Sequence, residues 1–228
     1  MARHDPHSYT DLAQGRIRHI AFQLEADFAQ RQLRGTARYL LDQPARGPLD
    51  LDTRDLDVRS VSSSGRAVRF TFGKEDPILG SRLRLSDLAG ADEFTITFVA
   101  SQAARALQWL SPAQTAGGRH PYLFTQCQPH HARTIFPCQD SPSVRFTYEA
   151  ELRVPPPLVA AMAAAPMGSW SADGATAFHF EMPQPIPSYL FALAVGEITS
   201  RDLGPRSRVY AEPDLIEAAA WEFAQIED

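Results

Sequence analysis

The stretch TQCQPHHARTIFPCQD, residues 125–140, places two Cys, two adjacent His, three Gln and an Asp within sixteen positions. Three chemistries suit those residue types. Cys127, His130, His131 and Cys138 carry the thiolate and imidazole donors that zinc prefers. Cys127, with His130 three positions on and Asp140 beyond, has the parts of a thiol nucleophile, its base and an orienting carboxylate. The same residues also suit a rigid bend in which both thiols are small buried hydrophobes.

Spacing weighs against the metal. C-x2-H-H-x6-C matches no zinc finger or ribbon, and neighbouring side chains on an extended chain point to opposite faces. It weighs against the thiol enzyme as well, because such partners normally converge from distant parts of a sequence. The structural reading has its own support: Arg133 and Asp140 would form a charge-assisted clasp across the proline bend. Asp140, ahead of Ser141-Pro142, also suits turn initiation.

Elsewhere the chain offers no reaction signature. No His is followed by Glu, so H-E-x-x-H is absent, as are G-x-S-x-G, a phosphate-binding loop and G-x-G-x-x-G. Gly117-Gly118 reads as a simple turn. The net charge of -5 gives no electrostatic reason to expect nucleic acid or an anionic membrane as partner. The N-terminal MARHDPHSYTDLAQGR has no apolar run, and PPPLVAAMAAAPMG falls well short of the ~18 apolar residues of a membrane span. The expectation is therefore a cytoplasmic chain with both thiols reduced.

The elements that must position these residues are mostly strands. At 228 residues and 44% hydrophobic, the chain can bury a core without a disulfide or metal staple. Ile20, Phe22, Leu24, Ala26 and Phe28 alternate with polar or small neighbours, a period of two with one apolar face. Shorter alternations recur at Val68, Phe70 and Phe72, at Phe94, Ile96 and Phe98, and from Val144 through Phe146, Tyr148 and Ala150 to Leu152. Turn signals such as DQPARGP, SSSGR and GKEDP separate them. LVAAMAAAP is ambiguous between helix and strand, ATAFHFEM and SYLFALAVGEI read as strands, and PQPIP between them reads as a proline-fixed corner. Only the C-terminal EPDLIEAAAWEFAQIED reads as a helix, with Pro213 in its first turn and Leu215, Ala219, Phe223 and Ile226 at helical spacing.

One long block then carries a resemblance. Residues 106–155, ALQWLSPAQTAGGRHPYLFTQCQPHHARTIFPCQDSPSVRFTYEAELRVP, resemble the M1 zinc aminopeptidases of the leukotriene-A(4) hydrolase and aminopeptidase B branch. DFAQRQLRGTA and LDTRDL upstream, and PIPSYLFALAVGEITSRDLGPRSRVYAEP downstream, extend the likeness over nearly the whole chain. The resemblance implies a mostly β, saddle-like mixed and antiparallel N-terminal domain with one C-terminal helix. It implies a tail over residues 1–15, the β domain over 16–211, and over 212–228 the start of a linker or first helix towards an absent catalytic domain.

That catalytic domain would supply the zinc, through H-E-x-x-H and a further Glu, and the G-x-M-E-N motif; none of these is in this chain. By the resemblance the chain alone is inert and holds no cofactor or metal. Gln126 and Gln128 would contact the amino end of a peptide substrate, and the partners would be the M1 catalytic domain and that peptide. A Gln side chain offers donors and an acceptor without charge, so it can orient a substrate but not do acid–base work. Pro129 departs from the small residue the family pattern places after that Gln. A second reading is a stand-alone peptide- or protein-binding module derived from the same domain.

Overall fold

The computed structural model describes residues 5–227. The chain begins with β1 (Ile17–Asp27), β2 (Gln32–Leu41), β3 (Leu49–Thr53), β4 (Leu56–Ser63), β5 (Arg66–Ala67) and β6 (Phe70–Phe72). It continues through β7 (Ser81–Leu85), β8 (Glu93–Ala100), β9 (Leu107–Leu110), β10 (Tyr122–Thr125), β11 (Arg145–Val154) and β12 (Val159–Met162). It finishes with β13 (Ala165–Ala172), β14 (Ala175–Pro187), β15 (Leu193–Gly196), β16 (Thr199–Asp202), β17 (Arg208–Ala211) and the helix α1 (Ile216–Glu222).

The strands form an eight-stranded sheet in the order β13-β14-β11-β1-β2-β8-β4-β5 and a four-stranded sheet in the order β12-β15-β10-β9. A three-stranded sheet, β3-β7-β6, and the β16-β17 ribbon complete them. The β1–β11 pair is parallel and its neighbours are antiparallel, so the large sheet is mixed.

Three of the expected alternations are the frame of that sheet; the one at Val68, Phe70 and Phe72 runs into β6 of the small sheet and leaves Phe72 exposed. Ile20, Phe22, Leu24 and Ala26 on β1, Phe94, Ile96 and Phe98 on β8, and Phe146, Tyr148, Ala150 and Leu152 on β11 are all buried. A one-residue slip would turn each set towards solvent, so the period of two fixes which face is buried. Gly35 on β2 is required by this packing: a Cβ there would lie 2.5 Å from Phe98 Cζ and 2.9 Å from Leu24 Cδ2. Phe22, Phe136, Tyr148 and Phe191 meet edge-on or tilted, with centroids 4.9 Å (Phe22–Phe136), 5.0 Å (Phe136–Phe191) and 5.6 Å (Tyr148–Phe191) apart. Such aromatic contacts add about 0.5–1.5 kcal/mol beyond their area.

Three segments differ from their expected form, and one left open between helix and strand is resolved. PQPIP is not a corner: β14 runs through it to Pro187. β13 stops pairing at Glu181, so beyond that residue this side of β14 is an open edge, where a residue without an N–H is tolerated. LVAAMAAAP resolves into β12 and the start of β13. SYLFALAVGEI is a 3-10 turn, Ser188–Leu190, followed by β15. The C-terminal helix is seven residues, preceded by a 3-10 turn over Pro213–Leu215. Ala220 is its buried residue, so the expected stripe of Leu215, Phe223 and Ile226 is turned outward and exposed.

Residues 5–14, expected as a tail, run along the domain. Gln14 exchanges hydrogen bonds with Asp50, its Nε2 donating to Oδ2 at 3.0 Å and its Oε1 accepting from the Asp50 N–H at 2.8 Å.

Candidate functional site

Gln126 and Gln128 sit where the four-stranded sheet hands the chain to a buried bend. β10 delivers them: Leu123 and Phe124 pair with Val195 and Ala194 on β15, and with Trp109 and Gln108 on β9. The strand's end is pinned by Thr125, whose hydroxyl accepts from the Leu193 N–H at 2.9 Å. The Gln126 N–H then donates to the Ala106 carbonyl at 2.9 Å. Alternation does the rest. Gln126 and Gln128 are exposed and Cys127 between them is buried, so both amides are presented from one anchored segment.

Behind Gln128 the chain turns sharply. The Gln128–Pro129 peptide bond is cis, and the His131 N–H donates to the Cys127 carbonyl at 2.7 Å. A single 3-10 turn, Ala132–Thr134, follows. The Thr134 hydroxyl donates to the His131 carbonyl at 2.8 Å and accepts from the Ala106 N–H at 3.2 Å, which ties the bend back to the approach to β9. From Ala132 to Ser141 every residue is buried.

The bend is organised around Arg133, whose side chain is 0% exposed. Its Nε donates to Asp140 Oδ2 at 2.9 Å, one Nη to the Leu79 carbonyl at 2.8 Å, and the other to the His7 carbonyl at 2.7 Å. Asp52 lies 3.7 Å from the guanidinium. That carboxylate accepts from the Ser8 hydroxyl at 2.6 Å, the Tyr9 N–H at 2.8 Å and the Asp140 N–H at 2.9 Å. The Ser188 hydroxyl donates to Asp140 Oδ1 at 2.5 Å. One cation and two carboxylates thus join the N-terminal segment, β3, the bend and the turn before β15.

The expected Arg133–Asp140 clasp is present, but it is only half of the cluster. Asp52, Ser8 and Ser188 were not anticipated. The one signal for Asp52 was an Asp alternating with Leu in LDLDT, on a strand whose residues are all buried.

The electrostatics follow from this burial. Desolvation raises the Asp52 carboxyl above its ordinary value, against the opposing pull of the Arg133 charge and the hydrogen bonds it accepts. For Arg133, burial works against the charged form, yet Asp52 and Asp140 hold the guanidinium above its ordinary value. Burial pushes both the Cys127 and Cys138 thiols upward, further aided by the nearby Asp140. Burial lowers His130 and His131, with the Arg133 charge acting on the first and the His130 charge on the second.

Those directions decide among the chemistries the bend suggested. A nucleophilic Cys needs a thiol that ionises easily, and both thiols here are displaced the other way. Asp140, the would-be orienter of a base, is occupied by Arg133 and Ser188. His130 lies against His7, with ring centroids 5.8 Å apart. Among the described residues no group of three or more His, Cys, Asp or Glu is disposed to hold a metal ion. Cys127, His130, His131 and Cys138 are not brought together as a ligand set, so zinc does not fit this bend.

What remains is two exposed, uncharged amides on one anchored segment that leads into a bend held by the polar cluster, groups suited to hydrogen bonding and not to proton transfer. Beyond the bend, the described surface carries large apolar side chains near the C-terminus. Trp221 is 79% exposed, and Tyr210, Leu215, Phe223 and Ile226 are exposed with it. No helix is long and apolar enough to cross a membrane among the described residues.

Residues 6–190 match the family model described as the Peptidase M1 N-terminal domain. The chain is 38% identical to leukotriene A-4 hydrolase of Xenopus laevis over 98% of its own length and 38% of that protein's. It is 36% identical to leucine aminopeptidase 2 of Coccidioides immitis, over 96% of this chain and 37% of the relative. Among solved structures, yeast LTA4 hydrolase in complex with bestatin superposes with a TM-score of 0.89 at 31% identity, covering 99% of this chain and 36% of that one. An M1 zinc metallopeptidase from Deinococcus radiodurans shares the fold, with a TM-score of 0.66 at 18% identity over 86% of this chain. The chain thus spans well under half the length of the curated relatives it matches. By its sequence and its fold, this chain belongs to the M1 peptidase family and carries that family's N-terminal domain.

Proposed function

We propose that this chain is the non-catalytic part of a zinc metallo-aminopeptidase, forming one wall of the substrate cleft. The β domain would extend over residues 16–211, and residues 212–228 would lead towards the catalytic part. Gln126 and Gln128 would meet the amino end of a peptide, their amide oxygens accepting from an ammonium group and their N–H groups donating to peptide carbonyls. Neither residue takes up or releases a proton in this role; both bind and orient. The zinc that activates water in such enzymes would be held outside these residues.

The observation that carries this reading is the exposed pair Gln126 and Gln128 flanking buried Cys127, on a segment fixed by Arg133. An uncharged pair on a rigid base suits orientation of a substrate whose reaction occurs elsewhere. The exposed Trp221, Phe223 and Ile226 agree with it, since a monomer rarely leaves apolar side chains clustered unless something covers them.

Two measurements on the chain alone test the non-catalytic part of the proposal. Dialysis against a weak chelator is expected to leave no stoichiometric zinc, and aminoacyl anilides are expected to remain unhydrolysed. One tightly held zinc per chain, or steady turnover that survives repurification, would overturn it.

A further inference from the structure

We propose that the free edge of the large sheet, β13, is a pairing surface for a second copy of this chain, with the two-fold axis at Trp170. β13 ends the eight-stranded sheet and pairs only with β14. Its eight residues, APMGSWSA, carry no charge, and seven of them are exposed. Met167 and Trp170 stand 54% and 46% exposed. Edge strands of folded proteins are ordinarily guarded by charge, shortness, cover, proline or a β-bulge. β13 has Pro166 and a bulge between Pro166 and Gly168 near its start, while Ser169–Ala172 beyond them carry none of these guards.

The opposite end of the same sheet shows that guarding. β5 is two residues long, and β4 beside it carries Asp57 and Arg59, paired at 2.7 Å. β6, at the edge of the small sheet, is three residues long and flanked by Arg69 and Lys74. β13 is thus both the longest edge strand and one without charge.

The register of the β13–β14 hairpin suits a second copy of the same strand. β13 and β14 are joined by the two-residue turn Asp173-Gly174, both at positive φ (49° and 80°), which makes Ala172–Ala175 a hydrogen-bonded pair. Hydrogen-bonded and non-hydrogen-bonded pairs alternate along an antiparallel ladder. Trp170 therefore bonds inward to β14, while the backbone N–H and C=O groups of Ser169 and Ser171 point outward from the sheet.

Two copies placed antiparallel bring Ser169 of each opposite Ser171 of the other. Both residues exchange bonds there, and the two Trp170 residues form the central non-hydrogen-bonded pair. That is the closer of the two pair types, which suits a cross-strand aromatic contact. Trp170 lies on the sheet face it shares with Ala177, not on the face of Phe178 and Phe180, so both indoles remain on the outer surface. Asp173, 94% exposed, falls at opposite ends of the joined strands, so the two copies of this carboxylate stay apart. Pro166 lies outside the paired segment, where its missing N–H costs nothing.

The inference does not depend on the proposed function and is read from the chain itself. Sedimentation equilibrium across a broad micromolar range is expected to show a reversible monomer–dimer equilibrium. Near 230 nm, circular dichroism is expected to show an exciton band that grows with the dimer fraction. Trp170→Lys and Ser171→Pro change exposed positions and are each expected to weaken the dimer by more than about tenfold, with far-UV spectrum and melting temperature retained. Should one variant not fold, the other decides. A chain that remains monomeric throughout, or a dimer whose affinity neither variant alters, would overturn the proposal.

Discussion

Replacing Arg133 with Met keeps roughly the volume of the side chain and removes the one cation from a buried cluster that holds two carboxylates. The structure sets the size of the loss. Arg133 donates to Asp140, to the Leu79 carbonyl and to the His7 carbonyl at 2.7–2.9 Å, and stands 3.7 Å from Asp52. Hydrogen bonds to charged groups contribute roughly 1.5–3 kcal/mol each, but they do not add. Removing one partner of a buried ion pair costs about 3–5 kcal/mol, chiefly because the remaining charge is left desolvated. We expect a loss in that range, a large fraction of the ~5–15 kcal/mol typical of a domain.

The pH dependence carries a definite sign. Burial already places the Asp52 carboxyl above its ordinary value of 3.8 in the folded chain. A group raised on folding contributes stability that is fully present below its unfolded pKa and is lost as pH rises through its folded pKa. Without Arg133 the carboxyl is raised further, so the deficit of the variant should shrink as pH falls from neutral towards 4. Urea denaturation at several pH values measures this, with hydrogen exchange following residues 5–10 and 126–131. A neutral-pH loss below about 1 kcal/mol, or a deficit that grows on acidification, would refute the account of the cluster.

Other expectations follow from the same coordinates. Gly80 has φ +77° and its Cβ would meet the Thr53 carbonyl oxygen at 2.3 Å. Gly80→Ala should therefore lower Tm by several degrees, at about 2–4 °C per kcal/mol for a chain of this size, and a Tm within a degree of the parent would contradict it. Cys127 and Cys138 are buried, and burial raises both thiols. Iodoacetamide at mildly alkaline pH should modify them only after denaturant is added, and rapid labelling of the native chain would show the bend to be open. Gln126→Ala and Gln128→Ala change exposed side chains and should shift stability by no more than about 0.5 kcal/mol. A larger shift in denaturation midpoint would make them structural residues.

The strands that carry the core were legible because one face of each is buried. Ile20 to Ala26 and Phe146 to Leu152 alternate so cleanly that a one-residue slip would expose their apolar residues. PQPIP misled for a local reason. Proline ends a strand only where its N–H is needed, and β14 has an open edge over those residues. At the C-terminus the helical period was present, but the face that packs is chosen by the β16-β17 ribbon, which takes Ala220 and leaves Phe223 outside.

The bend divides similarly. Arg133 and Asp140 are seven residues apart and could be paired by eye, whereas Asp52 and Ser188 reach them from distant strands and turns. No local pattern records such a contact. The significance of Gln126 and Gln128 rested on resemblance alone, since an exposed Gln has no periodic or spacing signature. The geometry adds that they share one anchored segment.

The central claim is that this chain lends two amides to chemistry performed elsewhere. Its most direct test is to combine the chain with a separately produced M1 catalytic partner and measure hydrolysis of aminoacyl anilides and short peptides. The account predicts no turnover by this chain alone and turnover on mixing. It also predicts that the Gln126→Ala, Gln128→Ala double variant, equally stable and equally able to associate, raises KM for peptides. Turnover by this chain alone, or a reconstituted enzyme whose kinetics ignore both substitutions, would contradict it.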